Sequence, residues 1–413
     1  MSTWLYLEPL DVLYLRGNRD FGGPGDHAEA LMPPWPSVFS GALRSALLAR
    51  SGVELGRFTD EGAEHCDPVL AKVLGTPWEP GSFRLACATL ARSMGDGVEL
   101  LFPFPADLVV SAKTPPAHRP CKKDALKPVA ERAWRLRPVP LAASVHGGPT
   151  AAVPVLAAPR LAKPGSDWWL RAAGMSAYLE GKTPEPEQLV HRRDLWDDDF
   201  RLGIGRNRDS YTTEAGHLYT TQAAAPCRGV GFAVEIEGCP AVLLEPVKLV
   251  RLGGDGRGAS VSCLPATPWK PPKVESRRLA LVLLTPGILP QGWLLPGTRR
   301  DDDGTYRIEC DGFSARLACA AVPRAQVVSG WDLPAHKPKP AQRAVPAGSV
   351  YYLEDVDGDV HRYLDNLWDL ICDELTQRSG SDRYDAVWKQ RKAEGFNNIL
   401  VGRWPHETAE KEG

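Results

Sequence analysis

An α+β fold of two domains, the first opening as a ferredoxin-like (RRM-like) βαββαβ unit with a long insertion, is expected from three features of the sequence. The chain has 413 residues, more than one comfortable core accommodates. Two blocks of strand-like alternation flank a Pro-rich, basic stretch. Each block also carries a segment whose apolar residues recur at helical spacing. Domains are therefore expected at 1–225 and 226–413, with the insertion at about 113–200.

Residues 3–15 alternate as a strand and lead into a Gly-rich turn, Arg16 to Gly25. Pro33-Pro34-Trp35-Pro36-Ser37 then opens a helix, with Ser37 as its cap. Val38, Phe39, Ala42, Leu43, Ala46 and Leu47 form its apolar stripe, so Leu43 and Leu47 are core candidates. Gly41 inside the helix costs about 1 kcal/mol relative to Ala, and close approach of another backbone is the expected reason. Runs at 83–91 and 98–102, then Leu108-Val109-Val110, complete a β-α-β-β order. Residues 113–200 carry helical patches around Trp168–Leu179 and Pro186–Trp196 and read as an insertion rather than a separate domain.

The second block of strands begins near Gly229, with Phe232–Ile236, Val242–Leu252, Leu279–Leu284, Arg316–Val322 and Ser349–Leu353. Val360, Tyr363, Leu364, Leu367, Trp368, Ile371, Cys372 and Leu375 then line one side of a helix laid on a sheet. Asp365, Asp369, Asp373 and Glu374 fall on its solvent face. Phe396–Val401 is expected as the closing strand.

Composition narrows the function. Hydrophobic content of 43% and charged content of 24% are ordinary for a globular protein. No stretch approaches the ~20 apolar residues of a membrane span, and the amino terminus lacks a signal peptide's basic start. A cytoplasmic protein without membrane contact is expected. The nine cysteines include no C-x-x-C pair, and none has a His at zinc-ligand spacing. Free thiols are the expectation, with no metal and no cofactor.

A net charge of −2 argues against a freestanding DNA-binding domain. The charge is nevertheless unevenly spread. Residues 113–137 hold eight Lys or Arg against two acids, and residues 324–343 hold four against Asp332 alone. Acids gather at Asp197–Asp199, Asp301–Asp303 and Glu354–Asp359. Separated basic and acidic surfaces suit a subunit holding RNA on one side and protein on another.

Catalytic motifs are missing: no G-x-x-x-x-G-K-[ST], no H-E-x-x-H and no G-x-S-x-G. In the Gly253–Gly258 run, a tight β-turn and a backbone-phosphate contact through Arg257 both fit. The segment Gly205–Tyr219 combines Arg206, Arg208, Tyr211, His217 and Tyr219, cations for phosphates and flat faces for bases. A metal-independent ribonuclease using His27 or His217 with Tyr211 is the competing reading of the same residues. A structural scaffold that barely touches RNA is the third.

Leu10–Arg16 with its Gly-rich turn, followed by Pro36–Leu47, resembles the amino-terminal signature of the RAMP superfamily of CRISPR proteins. Phe102–Leu108, Gly203-Ile204-Gly205 leading to Gly216–Tyr219, Leu252–Arg257, Gly330–Leu333, Pro338–Pro340 and Arg343–Tyr351 are similar to one subfamily. It is the third subunit of the type III-B (Cmr) effector complex. The resemblance implies two ferredoxin-like folds facing each other and a non-catalytic, RNA-binding role in antiviral defence. Its implied partners are the 5′ handle of the guide RNA, the large polymerase/cyclase-like subunit and the adjacent backbone RAMP subunits. Within that role Arg16, Arg19, Arg44, Arg206 and Arg208 are expected on phosphates, with Phe21, Tyr211 and His217 on bases. Lys337, Lys339 and Arg343 form a second basic group, beside which Trp331 reads as a packing residue. The terminal Gly395–Gly402 segment is poorer in glycine than the superfamily's loop, although Asn tolerates left-handed backbone there.

Overall fold

Residues 2–15, 27–28, 30–54, 56–58, 67–76, 79–95, 97–113, 127–140, 150, 152–155, 167–206, 210, 212–332, 337–379 and 385–405 are described by the computed structural model. Helices and several antiparallel sheets are mixed along the chain, as an α+β fold requires. The first sheet contains β1 (Ser2–Pro9), β2 (Arg84–Met94), β3 (Gly97–Pro103) and β4 (Trp168–Arg171). It also contains β5 (Leu189–His191), β6 (Val230–Glu237), β7 (Leu249–Arg251) and β8 (Gly258–Cys263). Their order is β5-β4-β3-β2-β6-β1-β8-β7, each neighbouring pair antiparallel.

The second sheet contains β9 (Leu279–Leu283), β10 (Thr298–Arg300) and β11 (Tyr306–Cys310). With them run β12 (Phe313–Ala321), β13 (Val350–Gly358) and β14 (Ile399–Arg403). Its order is β10-β11-β12-β13-β9-β14, again antiparallel throughout. Side-chain alternation then builds the layers. Leu5 and Leu7 of β1 pack with Phe39 and Leu43 of α1 (Pro36–Arg50), while Trp4 and Tyr6 point the other way. There they share one apolar layer with Ala280, Val282 and Tyr352, so the two sheets face each other. Leu281, Tyr351 and Leu353 point outward beneath the helices after β13.

Several boundaries differ from expectation. The expected division after residue 225 does not coincide with the division between sheets, because β6, β7 and β8 belong to the first sheet and β6 lies at its centre. Two stretches of the expected insertion, β4 and β5, also extend that sheet, and residues 168–171 are strand rather than helix. Strand residues with both faces covered lose the alternation that marks a sheet with one face in water, which hid this contribution. Helix α1 starts at Pro36, with Trp35 rather than Ser37 in the capping position, since proline's fixed φ suits the first helical turn. A Cβ on Gly41 would meet nothing within 4 Å, so the expected close backbone approach is absent. The long carboxy-terminal helix breaks at Asn366 into Val360–Asp365 and Leu367–Ser379, although Val360, Tyr363, Leu367, Trp368 and Ile371 are buried as expected.

The closing strand starts at Ile399, because the residues before it form a tight inward turn. Asn397 adopts φ +61°, its Oδ1 accepts the Ile288 amide at 2.6 Å, and its own amide donates to the Pro286 carbonyl. The amides of residues 395–398 are thus all spent on this chain's own acceptors. No helix among the described residues is long and apolar enough to cross a membrane.

One polar cluster joins the halves. Asp107 accepts Arg135 Nε at 2.9 Å, Tyr178 OH at 2.8 Å, and Tyr352 OH from the second sheet. Arg135 also donates to the carbonyls of Tyr178 and Arg403 and lies 3.8 Å from the Tyr178 ring centroid. Burial, followed by the adjacent carboxylate, raises the Tyr352 phenol well above its ordinary pKa.

Candidate nucleic-acid interface

A two-stranded hairpin, Trp196–Arg206 with Thr213–Pro226, stands apart from both large sheets, and His27–Ala28 adds a third, parallel strand. Leu13 exchanges backbone hydrogen bonds with Ala224 of this hairpin, and His27 pairs with Thr220. Both flanks of residues 16–26 are therefore fastened to the same hairpin strand. Arg16, Arg19, Phe21, Arg208 and Tyr211 themselves lie outside the described residues. Arg206 and His217 are placed by backbone, Arg206 opposite Thr213 and His217 one residue before Leu218, which pairs with Ile204. His27 lies beside Thr220, three residues along from His217.

The Gly253–Gly258 run docks onto the same place. It is the turn of the β7–β8 hairpin, with Gly253, Asp255 and Gly256 at φ +85°, +55° and +65°. A Cβ on Gly253 would come within 2.7 Å of the Tyr14 carbonyl oxygen, an approach only glycine allows. The Gly254 amide donates to that carbonyl at 2.8 Å. Arg257 reaches out of the turn to pair with Asp11, its guanidinium 5.3 Å from the Tyr14 ring centroid. Arg201 of the hairpin lies 5.9 Å from the same ring and pairs with Asp199. The turn reading of this run is correct, and Arg257 still presents a cation beside the hairpin.

Along the hairpin Phe200, Leu202 and Ile204 are 67%, 68% and 49% exposed. Their i, i+2, i+4 spacing places them on one face of the strand, opposite Gln222, Thr220 and Leu218. An exposed apolar row of this kind marks a surface that something else covers. The sequence reading missed this row, together with Tyr14 and Arg201. The alternation of Phe200-Arg201-Leu202-Gly203-Ile204 was the available signal.

The other expected contacts are not part of this convergence. Arg44 is turned into the protein: Nη2 donates to the Leu74 carbonyl at 2.6 Å, the guanidinium lies near the Phe83 ring, and burial lowers its pKa. It serves the fold rather than a phosphate. Lys339 is engaged as well, its Nζ 2.8 Å from Glu394 Oε1. Lys337 and Arg343 are exposed, on a small arm beyond the second sheet. Trp331, expected as a packing residue, is 56% exposed on that arm. Among the described residues no cluster of three or more His, Cys, Asp or Glu could hold a metal ion.

A family model described as CRISPR-associated protein (Cas_Cmr3) matches residues 5–404. No curated protein matches the chain. Among solved structures it is similar to a chain of the Type III-B Cmr-beta bound to cognate target RNA and AMPPnP, with TM-score 0.51, 14% identity and 96% of each chain covered. A second structure, Type III-B Cmr-beta bound to cognate target RNA, gives TM-score 0.49 at 15% identity, also over 96% of each chain. A chain of the Csm3-Csm4 subcomplex in the type III-A CRISPR-Cas interference complex gives 0.36 at 11% identity, over 86% of this chain and 94% of that one. The first of these likenesses is one of fold.

Proposed function

The chain belongs to the Cas_Cmr3 family of CRISPR-associated proteins, and from that premise we propose that it is the non-catalytic subunit holding the 5′ handle of the guide RNA in a type III-B effector. In that place it bridges the large polymerase/cyclase-like subunit to the backbone RAMP subunits. The observation that carries the RNA reading is the convergence at Tyr14. The flanks of residues 16–26, the hairpin root and the Arg257 turn meet there, and the apolar row Phe200, Leu202 and Ile204 runs out from it. Cations beside an exposed apolar edge hold a single strand by its phosphates while the edge packs against bases.

Strand order supports two ferredoxin-like units. Taken as first, second, third and fourth strands, β1, β2, β6 and β8 stand in the order 4-1-3-2, as do β9, β12, β13 and β14. The first unit keeps the helix between its first two strands, and the second keeps helices between its last two.

The test is a Phe200→Ser/Leu202→Ser chain assembled with its neighbours and probed for retained guide RNA. Both side chains are exposed, so the fold is expected to survive, while handle affinity falls by about 1–3 kcal/mol for the stacking lost at Phe200. The same preparation, with or without Mg²⁺, is expected to leave repeat RNA intact. Unchanged retention removes the hairpin from the site, and cleavage that His217→Ala abolishes makes the subunit an endoribonuclease.

A further inference from the structure

Beyond the second sheet, residues 324–332 and 337–344 form a small arm of two short ladders. Gln326–Val328 pairs with Gln342–Ala344, and Trp331–Asp332 pairs with Lys337–Pro338. Val328 and Ala344 anchor it in the core at 0% and 2% exposure. A buried guanidinium fixes its root. Arg391, 1% exposed, donates to Gln342 Oε1 at 2.8 Å, to Glu394 Oε2 at 2.9 Å and to the Ser329 carbonyl. Glu394 takes Lys339 as well, and Ser329 Oγ donates to the Lys339 carbonyl. An arm held this way presents its outer residues in one geometry, which is what lowers the ordering cost of binding.

Its outer residues are Trp331 at 56% exposure, with Arg324, Lys337 and Arg343 all exposed. None of these three cations has an ion-pair partner among the described residues, and Asp332 is the one acid in the sequence from 324 to 343. At its base, Pro323, Arg324 and Gln326 line a cleft of about 850 Å³ between the sheets, together with Trp35, Phe104 and Trp168. A tryptophan more than half exposed on an anchored arm offers a large apolar surface to a partner. Unpaired cations around it favour a polyanion over an apolar protein partner.

We propose that this arm is a second single-strand RNA contact, separate from the hairpin, in which Trp331 stacks on a base and Arg324, Lys337 and Arg343 hold the adjoining phosphates. The inference rests on the RNA-holding reading above and extends it to the other sheet.

The experiment titrates the full chain with labelled single-stranded oligouridylate at about 50 mM salt, where phosphate contacts are strong. Trp331→Ala is expected to weaken binding roughly 5- to 100-fold, and Trp331→Tyr to restore most of it. Arg343→Gln is expected to reduce the slope of log affinity against log salt by about 0.7. An unchanged thermal transition in Trp331→Ala confirms that only the contact was removed. If Trp331→Ala binds like the parent while Phe200→Ser/Leu202→Ser does not, the arm inference is overturned and the hairpin reading stands. If Trp331→Ala keeps RNA but no longer retains neighbouring subunits, the arm is a protein-docking face and the inference is likewise overturned. A parent chain without saturable oligouridylate binding overturns the arm inference and leaves the handle reading to the assembled-complex test.

Discussion

Arg135 and Asp107 meet between the two sheets with side chains 1% and 0% exposed, whereas Arg257 and Asp11 meet beside the hairpin with 26% and 53% of theirs in water. The chemistry of the two pairs is the same and the consequence is opposite. Between the sheets, desolvation makes every unmade bond expensive, and the site answers it: Asp107 also accepts from two tyrosine hydroxyls, and Arg135 donates to two carbonyls. Beside the hairpin, water screens the pair, and an exposed ion pair is worth only about 0–1 kcal/mol. Arg257 can therefore exchange Asp11 for a phosphate at little cost, which a surface that must accept RNA requires.

The strongest way to break this comparison is Arg135→Met, which leaves Asp107 buried without its cation. We expect a loss of about 3–5 kcal/mol, read as a lowered midpoint of urea unfolding. A loss under about 1 kcal/mol would mean that the seam admits water and that the two pairs do not differ in kind.

A smaller effect is expected from Tyr352→Phe, about 1–3 kcal/mol, because one hydroxyl donor to a buried carboxylate is lost. It should also change the alkaline behaviour. Burial raises the pKa of Tyr178 and of Tyr352 in the folded chain, so their phenols favour the protonated fold. Stability from this source is fully present below the unfolded pKa of about 10 and is lost as pH rises beyond it. Unfolding followed from pH 8 to 12 should steepen above about pH 10 in the parent and less so in Tyr352→Phe. Equal steepness in both would detach the tyrosine from the seam.

The smallest effect on stability is expected from Arg257→Gln, within about 1 kcal/mol. Its signature is in binding, where the salt slope for guide RNA should fall by about 0.7. A large loss of stability with an unchanged slope would reverse the assignment of this arginine.

Local patterns in the sequence reported burial well and partners poorly. Val360, Tyr363, Leu367, Trp368 and Ile371 announce their buried face because a helix repeats its contacts every turn. The amino-terminal strand was legible in its first half only, since it ends at Pro9 rather than running to residue 15, and its two faces, Leu5–Leu7 and Trp4–Tyr6, meet different layers. What alternation cannot say is whether an apolar face is covered. Phe200, Leu202 and Ile204 alternate as a covered strand would, yet all three are exposed. Trp331 was misread for the same reason, since composition makes tryptophan a core residue until its neighbours are known.

Pairings distant in sequence leave no periodic trace at all. Nothing near Asp107 announces Tyr352, and nothing in Val230–Glu237 announces that it lies between β1 and β2. The same limit placed Arg44 on a phosphate, because a helical arginine looks alike whether it reaches solvent or the Leu74 carbonyl.

Asp107 and Tyr352 are 245 residues apart, and Arg135 reaches a carbonyl 268 residues further on. That separation is also an interval of time. A ribosome adding about 5–20 residues per second needs roughly 12–50 seconds to follow Asp107 with Tyr352. Throughout that interval Asp107 and Arg135 keep their polar groups in water, because the Tyr352 hydroxyl and the Arg403 carbonyl that complete the cluster have not yet been made. A chain halted before Tyr352 therefore lacks one of the two hydroxyls that Asp107 accepts in the finished seam.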